Sequence, residues 1–280
     1  MAKPRILYIT EAITPYLPDS ANSSLGRDLP VMSQAEGHEV RIFMPRFGSI
    51  NERRNQLHEV IRLSGINISI DDTDHPLIIK VASMHPSRIQ VYFVDNDDYF
   101  QRLDSDADVL GTNRADNDER TIFFNHGTME TVKKLRWDAD TVHCLGWMTA
   151  LCTLGLRSMY NAEPGVKRPT IIYTMLPGQD PDTLDEAMVS KLREEGYSDD
   201  ELKDIIENPG KPEALHKLAM RNADAITLPA DAPAELLEFA QELKTNNCNK
   251  CRNGNMQPAQ DGQKYDTEAF SKFYASLKEK

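Results

Sequence analysis

The sequence lacks the long apolar segments of membrane and secreted proteins. None of its 280 residues fall in a run of about 18 consecutive apolar residues, the length that a membrane-spanning helix requires. Residues 1–9 begin with basic side chains but continue with too few apolar ones for a signal peptide. We therefore expect a cytoplasmic protein that makes no membrane contact.

Positive charge is also scarce. The chain has 32 Lys and Arg against 44 Asp and Glu, a net charge of −12 at pH 7. A field of this sign repels nucleic acid and anionic lipid, so neither is an expected partner. An anionic ligand would need local cations, and Arg46, Arg53 and Arg54 in one loop are candidates for a phosphorylated or hydroxyl-rich ligand. The alternative is a solvated loop tip.

Cysteine is too sparse for a disulfide framework. Cys144 and Cys152 lie in apolar segments and are interpreted as buried thiols. Cys248 and Cys251 form one C-x-x-C in a polar, Asn-rich segment, with no second pair or His doublet to complete a zinc site. A zinc ligand pair, a redox pair and a pair without chemistry all stay open, but we expect no metal and no cofactor. This usage suits a reducing compartment.

The glycine-rich G-x-G-x-x-G of dinucleotide-binding proteins is absent after the first predicted strand, which disfavours nicotinamide chemistry. What is present is a strand–helix–strand unit. Residues 5–10 and 39–45 are short apolar runs typical of parallel strands, and residues 24–36 have helical periodicity ending at Gly37. Pro30 lies inside that pattern and predicts a later helix start. This unit is the opening of a doubly wound α/β sheet.

The middle of the chain interrupts this order. Three strand-like segments without helices between them, near residues 66–94, predict a small antiparallel excursion. Helix and strand patterns then alternate again, at residues 116–135, 140–144, 147–160, 169–174, 223–228 and 232–244. The charged stretch 180–207 is interpreted as a solvated helical face.

The sequence divides into three parts. Residues 1–245 are predicted to form one Rossmann-like domain, and residues 246–265 a polar, mobile loop. Residues 266–280 form an amphipathic helix expected to dock on the domain, to cover a face left open, or to bind a partner. Four residues share its apolar face: Phe270, Phe273, Tyr274 and Leu277.

Four segments carry a family resemblance: residues 44–50, 92–100, 116–124 and 140–147. Through them the chain resembles, over residues 4–230, the N-terminal half of bacterial glycogen synthase and plant starch synthase. These retaining glucosyltransferases move glucose from ADP-glucose to an α-1,4-glucan. The resemblance implies a GT-B fold, in which two doubly wound domains enclose the active site. It also implies that this chain holds the acceptor-side domain without the donor-side domain.

Four sites depart from the family pattern. Pro18 stands where the family has a Lys that neutralises charge on the diphosphate leaving group. Residues 20–22 replace Gly-Gly-Leu, and only glycine lets the backbone approach phosphate closely. Ser24 replaces an Asp, and Leu145 replaces a His beside the transferred sugar. We therefore expect no intact catalytic residue.

Other polar and aromatic residues remain candidates for binding substrate. Each has a structural alternative: a turn for Glu11, a helix cap with a solvated first turn for the cluster at 116–120, core packing for His143, and helix-start packing for Trp147. The candidates are Glu11, Tyr16, Asp116, Asn117, Arg120, His143 and Trp147.

Three functions stay open at this point. The first is an acceptor-side domain that is inactive alone and binds α-glucan or another protein. The second is an ADP-glucose glucosyltransferase completed by a donor domain on a separate chain. The third is a non-catalytic scaffold that no longer binds sugar.

Overall fold

A computed structural model describes residues 3–101, 108–162, 168–229, 231–245, 254–256 and 265–278. Ten strands lie within these ranges: β1 (Arg5–Thr10), β2 (Glu39–Pro45), β3 (His58–Glu59), β4 (Ile66–Ile70), β5 (Thr73–Met84), β6 (Ile89–Asp95), β7 (Thr141–Leu145), β8 (Thr170–Thr174), β9 (Ala225–Pro229) and β10 (Gly254–Met256). The α-helices are α1 (Ala21–Ala35), α2 (Asn117–Leu135), α3 (Ala150–Ala162), α4 (Met188–Glu194), α5 (Lys203–Glu207), α6 (Pro212–Asn222), α7 (Ala234–Thr245) and α8 (Thr267–Lys278).

The sheet has the predicted doubly wound order. Its strands run β10-β9-β8-β7-β1-β2-β6-β5-β3, with β4 pairing to β5. All pairs from β10 to β6 are parallel. Because β1 is followed by β2 on one side and flanked by β7 on the other, the strand order reverses at β1. In open α/β sheets, ligands bind at such a switch point, outside the carboxyl ends of the strands.

The antiparallel excursion is confirmed. Strand β5 pairs antiparallel with β3, β4 and β6, whereas β6 returns to the main sheet by pairing parallel with β2. The alternating pattern of β4 therefore belongs to a hairpin at the rim of the sheet, and the continuous apolar run of β6 to its buried interior.

The predicted start of the first helix is wrong. Helix α1 begins at Ala21 and contains Pro30. The Ser20 side chain accepts from Ser23 N at 3.1 Å, and Ser20 N donates to Ser23 Oγ at 2.9 Å. This capping box fixes the first turn ahead of the apolar pattern, and the helix continues past Pro30 although that residue has no N–H to donate to the preceding turn.

The charged stretch 180–207 is not merely a solvated face. Lys191 Nζ lies 2.8 Å from Asp118 Oδ2 and 2.6 Å from Glu119 Oε1. Asp204 is buried and accepts two bonds from Arg221, at 2.7 and 2.8 Å. Both ion pairs fasten this stretch to the domain, so part of its charge is structural.

The C-terminal helix α8 packs against α1. Its Tyr274 hydroxyl reaches the hydroxyl of Tyr8 on β1 at 3.1 Å and Nδ1 of His143 on β7 at 2.5 Å. Most of the loop predicted over residues 246–265, including Cys248 and Cys251, lies outside the described residues. The exceptions are the short edge strand β10 and Tyr265.

Within the described part of the chain, no helix is both long and apolar enough to cross a bilayer.

Candidate functional site

The candidate site is the carboxyl edge of the sheet, meaning the segments that follow β1, β7 and β8 together with the first turn of α1. Strand register places Thr10 beside Leu145, and Leu145 beside Thr174. The three strands therefore end level with one another. Glu11 and Gly146, the residues that follow β1 and β7, meet at the switch point.

Glu11 lies at the bottom of this edge and is fully buried. Its Oε2 accepts from Met148 N at 3.2 Å, whereas Oε1 has no hydrogen-bond partner among the described residues. Gly146 has φ 91°, and a Cβ there would fall 2.1 Å from Glu11 Cδ. Only glycine fits both constraints. Burial raises the pKa of Glu11 well above its usual range, the bond from Met148 opposes this, and the charge of Asp180 adds to it.

These contacts make Glu11 a support of the turn after β7. Burial favours the neutral, protonated form of this carboxyl group over the carboxylate.

The amino end of α1 is occupied by its own side chains. Helix amino ends bind anions through free backbone N–H groups and the positive end of the helix dipole. Here Ser20 caps Ser23 N, and Asp19 stands directly before the cap. The Asp19 carboxylate accepts from Ser24 Oγ at 2.8 Å and from Thr14 Oγ1 at 3.2 Å. The Asp19 carboxylate therefore places negative charge beside the first turn of α1.

Asn22 links three segments at the carboxyl edge. Its Nδ2 donates to Pro177 O at 3.0 Å, and its Oδ1 accepts from Tyr265 Oη at 2.9 Å. The first contact ties α1 to the loop after β8, and the second ties α1 to the segment before α8. A leucine at this position would make neither bond.

Tyr16 and Pro18 flank this turn differently. Tyr16 is 6% exposed and meets Phe93 edge-on, with ring centroids 5.0 Å apart. Burial raises the pKa of Tyr16 to about 12. Pro18 is exposed, and its carbonyl accepts from Ser23 Oγ at 2.8 Å. The Tyr16 ring thus packs in the core, while Pro18 offers neither a cation nor a backbone donor to solvent.

His143 and Leu145 share one face of β7, and both are fully buried. Both ring nitrogens of His143 are bonded: Nδ1 to Tyr274 Oη at 2.5 Å, and Nε2 to Thr174 Oγ1 at 2.6 Å. Burial lowers the pKa of His143 to about 3. The ring is a neutral link between the sheet and α8.

Trp147 begins the turn between β7 and α3 and is 1% exposed. Its indole Nε1 is buried and has no hydrogen-bond partner among the described residues. No face of the ring is open for a sugar to stack on, so the structure places Trp147 in helix-start packing.

The polar cluster at the start of α2 lies inward. Arg120 is 2% exposed and donates to the carbonyls of Tyr99, Gly111 and Leu110 at 2.7–2.9 Å. It also donates to Asn117 Oδ1 at 2.6 Å. These bonds fix the loop before α2, so the guanidinium supports backbone in this structure.

Asp116 and Asn117 share this supporting position. Asp116 stands at the N-cap of α2 but makes no side-chain cap bond, and accepts instead from Arg114 Nε at 2.8 Å. Asn117 is fully buried and donates to Thr112 O at 2.8 Å. The first turn is not solvated, because Asp118 is 1% exposed and paired with Lys191.

One buried chain of polar groups escaped the sequence analysis. Tyr173 on β8 bonds His216 Nδ1 through its hydroxyl at 2.7 Å, and His216 Nε2 lies 3.0 Å from Asp180 Oδ1. The Tyr173 hydroxyl also reaches Gly146 O at 3.5 Å. These residues come from a strand, a helix and a loop far apart in sequence, so no local spacing indicates that they meet.

Among the described residues, no group of three His, Cys, Asp or Glu side chains is placed to hold a metal ion.

A doubly wound α/β sheet with a switch point at its first strand is the class of fold found in nucleotide-sugar transferases, and comparison with known proteins specifies the family. The family model described as starch synthase catalytic domain matches residues 5–228. The chain belongs to this glycogen and starch synthase family.

Individual relatives agree. A glycogen synthase of Chlorobaculum tepidum is 30% identical over 240 residues, covering 85% of this chain and 48% of that protein. A glycogen synthase of Chlorobium limicola is 38% identical over 157 residues, covering 56% of this chain and 32% of that protein. The chain thus spans half or less of the length of these relatives.

A solved structure shares the fold. It is the catalytic domain of starch synthase IV from Arabidopsis thaliana, bound to ADP and acarbose. The TM-score is 0.68 at 15% identity, and the match covers 90% of this chain and 51% of the other. This likeness confirms the predicted GT-B type of sheet.

Proposed function

We propose that this chain is an acceptor-side domain of the glycogen and starch synthase family that does not transfer glucose from ADP-glucose by itself. It acts instead as an α-glucan-binding or interaction module. The observation that carries this is the self-occupied amino end of α1, where Ser20 caps the helix and Asp19 supplies a carboxylate.

Electrostatics support the proposal. A diphosphate at this end would meet the Asp19 carboxylate at close range, and like charges disfavour binding. Pro18, which carries no charge, stands where the family has the lysine that neutralises the leaving group. Loss of one such charge-stabilising donor costs about 10²–10³-fold in rate. Leu145 adds the loss of an imidazole at a buried position.

We propose α-glucan as the ligand class because the chain belongs to the glycogen and starch synthase family. The matched relatives are named glycogen synthases, and the starch synthase IV structure holds acarbose beside ADP. Acarbose contacts in that protein do not transfer residue by residue at 15% identity. The cytoplasmic location expected from the sequence stays a prediction.

The test is transfer of labelled glucose from ADP-glucose to glycogen by the purified chain, beside a full-length relative as positive control. We expect no transfer above background. Calorimetric titration with maltotetraose then separates a glucan-binding module, which gives saturable heat, from a scaffold, which gives none.

The rival proposal is transfer completed by a donor domain on a separate chain. The matched Chlorobaculum tepidum enzyme aligns with this chain over 48% of its own length. Adding the isolated C-terminal half of that enzyme to the assay tests it. Transfer restored by the mixture would favour the rival, and continued inactivity would favour the first proposal.

A further inference from the structure

A cavity of about 280 Å³ lies between α2 and α3, away from the carboxyl edge. Helix α2 contributes His126, Met129 and Glu130, and helix α3 contributes Met159. Glu195, in the turn after α4, closes the cavity. Its lining shares no residue with the candidate site described above.

Glu195 is the unusual member of this lining. Its side chain is 7% exposed, and Oε1 has no hydrogen-bond partner among the described residues. Its Oε2 lies 2.8 Å from His126 Nε2, at an angle that makes no hydrogen bond, and the two form an ion pair only when the imidazole is protonated. A buried carboxylate without donors is costly, and a ligand that donates to it would remove that cost.

The other two carboxylates of the cavity already have donors. Glu130 Oε1 lies 2.9 Å from Lys133 Nζ. Glu201 accepts from Ser158 Oγ at 3.1 Å and from Ser198 N at 2.9 Å. The unmet demand for a donor is therefore concentrated at Glu195, and the three carboxylates outnumber the single lysine of the lining.

The walls add a second requirement. Met129, Met159 and the ring of Tyr197 line the cavity beside Glu195. Thioether and aromatic surface favours an aliphatic stem, and a carboxylate favours an ammonium or guanidinium head. A hydrated metal ion would leave the methionines without a partner.

A neighbouring cavity of about 450 Å³ shares His126, Glu130 and Glu195 and adds Asp71 and Asp72. A second cationic group on the same stem would therefore face further carboxylates. This favours a ligand with two cationic ends over a monoamine.

We propose that the α2–α3 cavity binds an aliphatic diamine or guanidino-amine, with one cationic head bonded to Glu195. The head donates to Oε1, the stem packs on Met129 and Met159, and the far head faces the carboxylates of the neighbouring cavity. Binding makes and breaks no covalent bond.

The experiment uses 1,4-diaminobutane and agmatine as probes and 1,4-butanediol as the uncharged control, titrated calorimetrically at near-physiological salt. We expect saturable binding of both cations and none of the diol. Glu195→Gln keeps the shape and removes the charge, and should weaken binding about tenfold or more, the loss of one charge-assisted hydrogen bond. The matched control, Glu186→Gln, removes the same charge from an exposed position outside the lining and should bind like the unmodified chain.

Methyl NMR of the 11 methionines localises the ligand. Met129 and Met159 should shift with the probe, and Met220, buried on α6, should not. Circular dichroism confirms that Glu195→Gln is folded. Absence of saturable binding, equal weakening in the two variants, unchanged affinity in Glu195→Gln, or shifts that spare Met129 and Met159 would each overturn the proposal.

Discussion

The carboxyl edge and the α2–α3 cavity satisfy their polar groups in opposite ways. At the edge, Asn22 and Asp19 bond side chains and backbone of this chain. In the cavity, Glu195 is buried without a donor for Oε1. Family membership points to the first region as the functional one, whereas unmet bonding capacity points to the second. A family's site can thus be filled by its own side chains while the fold that carried it is kept.

The largest expected effect is that of Arg120→Met, in the polar cluster at the start of α2. The substitution keeps an aliphatic stem but leaves the carbonyls of Tyr99, Leu110 and Gly111 without their donor. We expect a loss of about 3 kcal/mol or more in the free energy of unfolding, because each buried carbonyl left without a donor costs about 1–3 kcal/mol. Urea denaturation measures it.

The matched control is Arg53→Met, at an exposed position, which should cost under about 0.5 kcal/mol. Equal stability of the two variants would show that Arg120 is free to serve a ligand, and would remove the contrast between the regions.

The next effect is a pH dependence at His143. Its pKa is about 3 in the fold against 6.5 ordinarily, so below pH 6.5 the unfolded chain takes up a proton that the folded chain refuses. The stabilisation by neutral His143 is complete above pH 6.5 and is lost as pH falls towards 3, by at most about 1.4 kcal/mol per pH unit. His143→Gln should flatten the curve of unfolding free energy against pH in this window. His58→Gln, at an exposed histidine, should leave it unchanged.

Glu11 predicts a dependence of opposite sign. The folded chain keeps the Glu11 proton above pH 4.5, where the unfolded chain releases it, so this carboxyl lowers stability progressively as pH rises from there. Glu11→Gln removes the titrating group, and its gain over the unmodified chain should be larger at pH 8 than at pH 5. Thermal unfolding at both pH values measures this, with the exposed Glu59→Gln as control. An equal effect at the two values would mean that Glu11 is ionised and open to solvent.

The smallest expected effect concerns the hydrogen bond between Tyr265 and Asn22 at the carboxyl edge. Tyr265→Phe removes one hydrogen bond to Asn22 Oδ1 and should cost about 1 kcal/mol. Hydrogen exchange should then rise in the first turn of α1. Unchanged hydrogen exchange there would show that Tyr265 does not hold the first turn of α1 in place.

Sequence reasoning located the sheet, the excursion and the docking helix because their signals are local: β4 alternates, β6 is continuous, and α8 has an apolar stripe. It misplaced the start of α1, since the Ser20–Ser23 capping box outweighs the proline at position 30. The replacement of the family's charged and glycine residues around Pro18 and Leu145 rests on the family resemblance and stays a prediction.

Sequence reasoning did not identify contacts between residues that are distant in the chain. The bonds of Arg120 reach carbonyls 9 to 21 residues away, and the Tyr173–His216–Asp180 chain joins residues 36 to 43 apart. The unbonded Oε1 of Glu195 has no signal in the sequence either. An arginine in a polar motif has the same local pattern whether its guanidinium faces a sugar or a buried loop. Only the packed structure separates the two.

The central claim is that the carboxyl edge around β1 is closed to a nucleotide diphosphate by the chain's own Asp19, Ser20 and Asn22. Calorimetric titration of ADP-glucose into the purified chain tests it most directly. We predict no saturable heat up to millimolar ligand. Saturable binding of ADP-glucose at micromolar concentration would contradict the account.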